Sequence, residues 1–241
     1  MNVWGITHRG VVREENQDAY AVAALSQQQM LAVVCDGMGG ARAGNVASAM
    51  AVEIFMEQFH QLWGQAEIPV SELMQICAAQ ANDAVHHRSR TQAECYGMGT
   101  TIVAALVDGA QATILNEGDS RTYHITPEGI VRVTRDHSLV EDLVLCGELT
   151  EDEARCHPHK NLITRALGAE PELRADLYEQ SVKAGEYLLL CSDGLSNVVS
   201  DQEMLYEVLH GGDHADCCQR LLEIAINRGA PDNVTVALIQ C

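Results

Sequence analysis

Apolar residues in this chain fall mostly in short runs of period two, and polar turn residues separate one run from the next. Such runs predict strands at 3–7, 19–24, 30–35, 100–107, 111–117, 121–126, 130–134, 187–191 and 234–240. Turn signals at Asp108-Gly109 and Pro127-Glu128-Gly129 stand between neighbouring runs, so antiparallel hairpins are expected rather than βαβ crossovers. The period lengthens to that of a helix over 44–61, where Val46, Met50, Ile54 and Phe55 recur at helical spacing. It does so again over 71–88, with Leu73, Ile76, Cys77, Ala84 and Val85 on one side and Ser71 as the expected N-cap. Ser200 and Glu203 make a capping-box pattern that opens a further helix, and another is expected over 215–228 with Gly229 at its end.

Between 136 and 167 the pattern weakens. Short helical pieces are expected at 139–145 and 150–155, the second with its own capping box, ahead of a loop-like stretch at 156–161. A segment of this kind, inserted before a strand, suits a mobile flap. Strands, a helix pair, more strands and then helices around the last strands make an α+β layered fold, with helices on the outer faces. No Ser, Gly or Pro tract and no like-charge block divides the 241 residues, so a single domain over 1–241 is expected.

Composition narrows the function. Acidic residues number 34 against 15 basic ones, a formal charge of −19, which argues against a nucleic-acid or anionic-membrane partner. An anionic substrate must then be held by a local cation. The nine cysteines are odd in number and contain no C-x-x-C pair, and Cys35, Cys77, Cys146 and Cys191 lie in apolar runs or on apolar helix faces. Reduced, buried thiols in a cytoplasmic protein are the expected state. The first residues lack the basic-then-apolar layout of a signal peptide, and no apolar run approaches the ~18 residues that span a bilayer. His86, His87, His157 and His159 lack metal-ligand spacing and are expected at the surface or in the flap, while Met30, Met50, Met56 and Met74 are expected in or near the core.

The candidate chemistry lies in aspartates at the ends of predicted strands: Asp36, Asp119, Asp193 and Asp232. An isolated Asp-Gly is ordinarily a hairpin tip. Asp36-Gly37 and Asp193-Gly194 are instead each followed by loop and helix, and the two share one layout. A carboxylate at a strand end, followed by a glycine whose backbone can come close, offers oxygen ligands to a hard cation of Mg or Mn type. Asp119 reads on its own as a turn residue, and Asp232-Asn233 as an Asx-turn that can also ligate. Near the N-terminus, the polar run 13–18 is either a solvated loop or a working one. In the second case Arg13 grips an anion with its planar fork while Asp18 holds a metal-bound water.

The ordered motifs resemble the metal-dependent protein phosphatases of type 2C, the PPM family, in their compact bacterial form. They are Thr7-x-x-Gly10-x-x-Arg13-x-x-Asn16-Gln17-Asp18, Cys35-Asp36-Gly37-Met38-Gly39-Gly40, Gly44-x-x-Ala47-Ser48 and Gly97-Met98-Gly99-Thr100-Thr101. Gly118-Asp119-Ser120-Arg121, Asp136-His137-Ser138, Thr164-Arg165-Ala166-Leu167-Gly168, Ser192-Asp193-Gly194-Leu195 and Asp232-Asn233-Val234-Thr235 follow in the family's order.

The resemblance implies a four-layer α/β/β/α sandwich with two central antiparallel sheets and a metal site at one end. It implies a serine/threonine protein phosphatase that hydrolyses phosphoserine and phosphothreonine with two Mn or Mg ions and an activated water. By the same resemblance Asp36 bridges the ions, the Gly37 carbonyl binds one, Asp193 and Asp232 hold the other, and Asp119 helps hold a weaker third. Arg13 would bind the phosphate and Asp18 would orient metal waters. Phosphorylated proteins, with a cognate Ser/Thr kinase and its targets, are the implied partners. The chain departs from the family's usual residues at His8, Gln17, Ala41 and Asn45, and Met38 stands where animal members carry a proposed general-acid histidine. Two rivals stay open at this point: a catalytically silent module of the same fold that only binds partners, and a two-metal hydrolase of small phosphoesters.

Overall fold

A strand that is apolar on both faces must meet a packed layer on each side, and the run Tyr187–Cys191 is of this kind. The computed structural model describes residues 1–38, 43–65 and 68–241; Gly39, Gly40 and Ala41 of the motifs above lie outside the described residues. Strands form at β1 (Asn2–His8), β2 (Asp18–Ser26), β3 (Gln29–Met38), β4 (Gly99–Thr100), β5 (Ile102–Asp108) and β6 (Gln111–Glu117). They continue with β7 (Arg121–Thr126), β8 (Gly129–Arg132), β9 (Asp176–Ser181), β10 (Tyr187–Cys191) and β11 (Val234–Gln240). One sheet runs β1-β11-β10-β7-β8; the other runs β2-β3-β5-β6-β9, with β4 paired to the end of β3. Every pairing is antiparallel, as the turn signals predict.

The helices are α1 (Gly44–Leu62), α2 (Val70–Thr91), α3 (Leu139–Leu145), α4 (Glu151–Arg155), α5 (Asp193–Ser196), α6 (Asp201–His210) and α7 (Cys217–Asn227). Three apolar layers separate the four structural ones. Phe55, Phe59 and Met74 of α1 and α2 pack on Leu31, Val33 and Leu115 of one sheet. Met204, Leu221 and Leu222 of α6 and α7 pack with Leu189 and Leu238 of the other. Between the sheets lie Met30, Val34, Ile114, Leu188 and Leu190. In β10, then, Leu188 and Leu190 face the opposite sheet while Leu189 and Cys191 face the helices, which accounts for its unbroken apolar run. The α/β/β/α sandwich is the fold the chain adopts.

Several expectations need correction. The run expected at 100–107 breaks at Thr101, because that residue leaves the ladder to bond Asp36: its N–H donates to the Asp36 carbonyl at 2.8 Å. Strand β9 was not expected; it is a partly exposed edge strand, with Leu177 packed on the α1–α2 core and Tyr178 on the inter-sheet layer. Helix α2 is capped by Pro69 rather than Ser71, since proline presets φ at −57° and its carbonyl accepts the Leu73 N–H at 2.9 Å. A 3-10 turn at His214–Asp216 precedes α7, so the helix starts later than expected. The capping boxes at Thr150 and Ser200 both form.

All nine cysteines are free. Cys35, Cys77 and Cys191 are buried as expected, and burial pushes the Cys77 and Cys191 thiols up to about 12. Cys146 is exposed, against expectation, because α3 rides on the surface with Val140 its one buried residue. Met30 and Met74 are core residues, Met50 and Met56 flank the core, and His87 and His159 are exposed. Among the described residues no helix is long and apolar enough to cross a membrane.

The inter-sheet layer holds the two halves in register. Replacing the fully buried Ile114 by alanine is expected to cost about 2–5 kcal/mol in urea unfolding, with an unchanged m-value; a cost below about 0.5 kcal/mol would mean that the layer is not close-packed.

Candidate metal centre

Antiparallel neighbours place the end of one strand beside the start of the next, and this brings the aspartates together. In the β2–β3 ladder Asp18 is paired with Asp36. Asp193 follows β10 by two residues and Asp232 precedes β11 by two, at the same end of the β10–β11 pair. Asp119 follows β6, whose last residue Glu117 pairs with Ile102 at the start of β5, level with the end of β3. The result is a cleft of about 540 Å³ lined by Arg13, Asp36, Gly37, Asp119, Asp193 and Asp232, with Gln17, Met38 and Thr101 beside them and Asn161, Leu162 and Ile163 on its outer wall.

Hydrogen bonds that tie one strand end to another place the Asp36 backbone and the residues around Asp232. The Asp36 N–H donates to Thr101 Oγ1 at 2.9 Å, and the Asp36 carbonyl accepts from Thr100 Oγ1 at 2.9 Å. Gly37 is walled in by backbone: a Cβ there would lie 2.1 Å from the Gly44 carbonyl oxygen and 2.5 Å from that of Gln17. Only glycine fits. Asn233 is the cross-tie on the opposite side. Its Nδ2 donates to the Arg9 and Glu15 carbonyls at 2.8 and 2.9 Å, and its Oδ1 accepts the Gln17 N–H at 2.8 Å. The same residue's N–H donates to Asp232 Oδ1 at 2.9 Å, so the carboxylate is locally held while Oδ2 faces Arg13.

Asp18 and Arg13 stand at the margins of the cleft. Asp18 does not line the cleft; it is buried behind it. Its Oδ2 accepts from Ser192 Oγ at 2.7 Å and Thr235 Oγ1 at 2.6 Å. Because the Thr235 hydroxyl spends its one proton there, Thr7 Oγ1 at 2.7 Å must donate to it, and Asn16 Nδ2 donates to Thr7 at 2.9 Å. Arg13 stands on the rim, 53% exposed, with its Nη2 on Asp232 Oδ2 at 2.8 Å. Its guanidinium is thus engaged with a carboxylate of the cleft.

Like charges buried together cannot all ionise freely. Burial, then the charges of Asp18, Asp193, Asp119 and Asp232, hold the Asp36 carboxyl well above its usual range. Asp119 is raised likewise, by burial, Asp193 and Asp136. Asp193 is pushed up to about 6 by burial and Asp232, against the pull of Arg121 and a hydrogen bond with Asp36. Asp18 rises to about 7 through burial, and the Thr235 and Ser192 hydrogen bonds restrain it. Asp18 Oδ1 and Asp193 Oδ1 are buried without hydrogen-bond partners. Among the described residues no three His, Cys, Asp or Glu side chains close into a ready-made cage.

The donors fit a hard divalent cation. Asp36, Asp119, Asp193, Asp232 and the Gly37 carbonyl are all oxygen donors, and no His or Cys lines the cleft among the described residues. Partnerless oxygens and mutual repulsion are both relieved by a positive ion. The motifs pointed to the carboxylates; the Thr101 and Ser192–Thr235 supports were not foreseen as such, although each stands beside an aspartate in its motif.

The family model described as protein phosphatase 2C matches residues 7–234 of the chain. The chain is 38% identical over 245 residues to the protein phosphatase PhpP of Streptococcus pneumoniae serotype 2, covering 99% of this chain and 97% of that one. It is 35% identical over 237 residues to the serine/threonine phosphatase stp of Listeria monocytogenes serotype 4b, covering 97% and 93%. The solved catalytic domain of the serine/threonine protein phosphatase PstP, in complex with two manganese ions, superposes with a TM-score of 0.83 at 32% identity, over 98% of this chain and 96% of that one.

Because the folded pKa values of Asp18 and Asp193 lie above the ordinary 3.8, the folded metal-free chain binds more protons than the unfolded chain between those values. These groups therefore favour folding at low pH and lose that contribution as pH rises through about 6 and about 7. In EDTA the melting temperature is expected to fall as pH rises from about 5 to about 7.5, and added Mn is expected to raise it more at the upper pH than at the lower. A metal-free melting temperature that climbs across this window would contradict the electrostatic account.

Proposed function

The chain belongs to the protein phosphatase 2C family, and on that premise we propose what each part of its cleft does. It is a metal-dependent serine/threonine protein phosphatase that uses manganese or magnesium and hydrolyses phosphoserine and phosphothreonine in phosphorylated proteins. The observation that carries the assignment of the site is the convergence of Asp36, Asp119, Asp193, Asp232 and Gly37 on one cleft with Arg13 at its rim.

Asp36 with the Gly37 carbonyl, and Asp193 with Asp232, are assigned as the oxygen donors for two cations, and Asp119 as a donor for a weaker third. Such cations, when bound, supply an activated water and screen the charge on the phosphoryl oxygens. Arg13 is assigned to the phosphate: a half-exposed guanidinium on a flexible stem can exchange Asp232 for a phosphoryl oxygen and hold it by two parallel N–H bonds. Asp18 is assigned to orient water from behind, since it stands opposite Asp36 in the ladder with one oxygen held and the other free of partners. Phosphoryl transfer asks mainly for positioning and electrostatics, so no cysteine is needed as nucleophile.

We assign the chain as one domain over 1–241, because the inter-sheet layer draws residues from both sheets and leaves no line of separation. The stretch 136–167 is assigned as the flap; its residues 161–163 stand against the cleft. A cognate Ser/Thr kinase and its targets are the proposed partners, and the cytoplasm the proposed compartment, supported by nine unpaired thiols.

Purified protein assayed on para-nitrophenyl phosphate and on a phosphothreonine peptide is expected to turn over with manganese and to stop in EDTA. Asp193→Ala is expected to lower turnover by more than about a hundredfold, beyond the loss typical of groups that only support a ligand. Turnover that survives both EDTA and the substitution defeats the metal assignment.

A further inference from the structure

Asp119 sits in the turn Gly118–Ser120 between β6 and β7, and this turn is gripped on both flanks by one dipeptide, Asp136-His137. On the near flank the Gly118 N–H donates to His137 Nδ1 at 3.1 Å, and the His137 N–H donates back to the Gly118 carbonyl at 2.9 Å. On the far flank Arg121 lies on Asp136, with Nε at 3.0 and 3.1 Å from the two carboxylate oxygens and Nη2 at 2.6 Å from Oδ2. Asp136 and His137 are 6% and 4% exposed, and neither lines the cleft.

The dipeptide is also the root of the cleft's outer wall. The Thr164 N–H donates to the His137 carbonyl at 2.8 Å, Ser138 bridges to Ile163, and the Leu139 N–H donates to the Leu162 carbonyl at 2.9 Å. Leu162 and Ile163 face the cleft. The Gly118 bond fixes the neutral ring with its proton on Nε2, which stands 3.1 Å from Asp176 Oδ2 on β9. A turn carrying a carboxylate, a histidine and a cleft wall are thus joined by consecutive hydrogen bonds.

We propose that Asp136 and His137 are positioning residues for Asp119, holding its turn at one depth and fastening it to the 162–164 stretch of the outer wall. Arg121 and Asp136 act on the Asp119 carboxyl with opposite signs, so the pair opposes itself electrostatically. Its contribution is geometric. Gly118 adds the reason that the turn needs such a grip: its φ is +119° and a Cβ there would lie 2.5 Å from Thr101 Cγ2, so the backbone is threaded through a space with no side chain of its own to anchor it. The inference rests on the reading of Asp119 as a donor to the most weakly bound cation.

The test is calorimetric titration of the whole chain with manganese chloride, together with residue-resolved amide exchange at Gly118. His137→Leu removes the acceptor and is expected to weaken the weakest class of Mn binding about 10- to 100-fold, leave tighter classes unchanged, and speed Gly118 exchange. His137→Asn, whose Oδ1 can take the same N–H, is expected to restore most of both. Asp136→Asn, which keeps one acceptor oxygen, gives an independent and smaller loss should His137→Leu fail to fold. Asp119→Asn is the reference. If it loses the weak class while His137→Leu and Asp136→Asn bind as the parent does, the positioning role is overturned and the ligand assignment stands. A loss shared equally by all classes, and not restored in His137→Asn, also overturns it as general destabilisation. If Asp119→Asn itself leaves every class unchanged, the ligand assignment fails and takes the proposal with it.

Discussion

Mutual repulsion among buried carboxylates is the constraint on which this molecule turns. Asp36, Asp119, Asp193 and Asp18 are each pushed toward their protonated forms, with burial the largest cause and neighbouring aspartates adding to it. An apolar or neutral filling would be the stable choice at such a place. The chain instead keeps the oxygens there and surrounds them with groups that hold direction: Thr101 on Asp36, Ser192 and Thr235 on Asp18, Asn233 and Arg13 on Asp232. A positive ion relieves that repulsion, so cation binding stabilises an arrangement that the hydrogen bonds already hold in place.

The antiparallel sandwich suits this task because it sorts strand ends. Every second strand terminus in each sheet lies at the same edge, and the aspartates are attached to termini of β2, β3, β6, β10 and β11 at that edge. The two sheets come together there over a dry layer of Val34, Ile114, Leu188 and Leu190, which deforms little. Rigid elements hold a donor set more closely than loops do. Glycine completes the arrangement where backbones must pass: a Cβ on Gly194 would stand 1.8 Å from the Asn233 carbonyl oxygen, inside any allowed contact.

How far this was legible in the sequence depended on the range of each interaction. The strands 111–117, 121–126, 187–191 and 234–240 were readable residue by residue, because their apolar runs end at turn residues that permit no other continuation. Strand β9 was not, since an edge strand whose faces are only partly covered carries few apolar residues. The cap of α2 was misplaced by two residues because Pro69 and Ser71 are both plausible starts, and proline's fixed φ decided. At the site, the motif order named Asp36, Asp119, Asp193 and Asp232 and the cleft gathers all of them. The withdrawal of Asp18 behind the cleft was not visible, because it follows from the ladder pairing with Asp36 and from hydroxyls 174 and 217 positions away in the chain. Cys146 was misread for the related reason that an apolar helix face says nothing of whether a partner covers it.

The net charge of −19 and an anionic substrate are at odds, and the cleft shows how the conflict is met locally. Long-range steering favours cations toward this surface, so metal ions are drawn in where a phosphate would be repelled. Arg13 lies across Asp232 with its side chain 53% exposed, and an ion pair that open holds by no more than about 1 kcal/mol. A divalent cation held by Asp232, in the role proposed for it, would take that partner and leave the guanidinium's donors free. A doubly charged phosphoryl group would then offer it charge-assisted, bidentate bonds. On the roles proposed for Asp232 and Arg13, an acidic protein would build its positive site only after cations load it, and the two binding steps would be ordered without any moving domain.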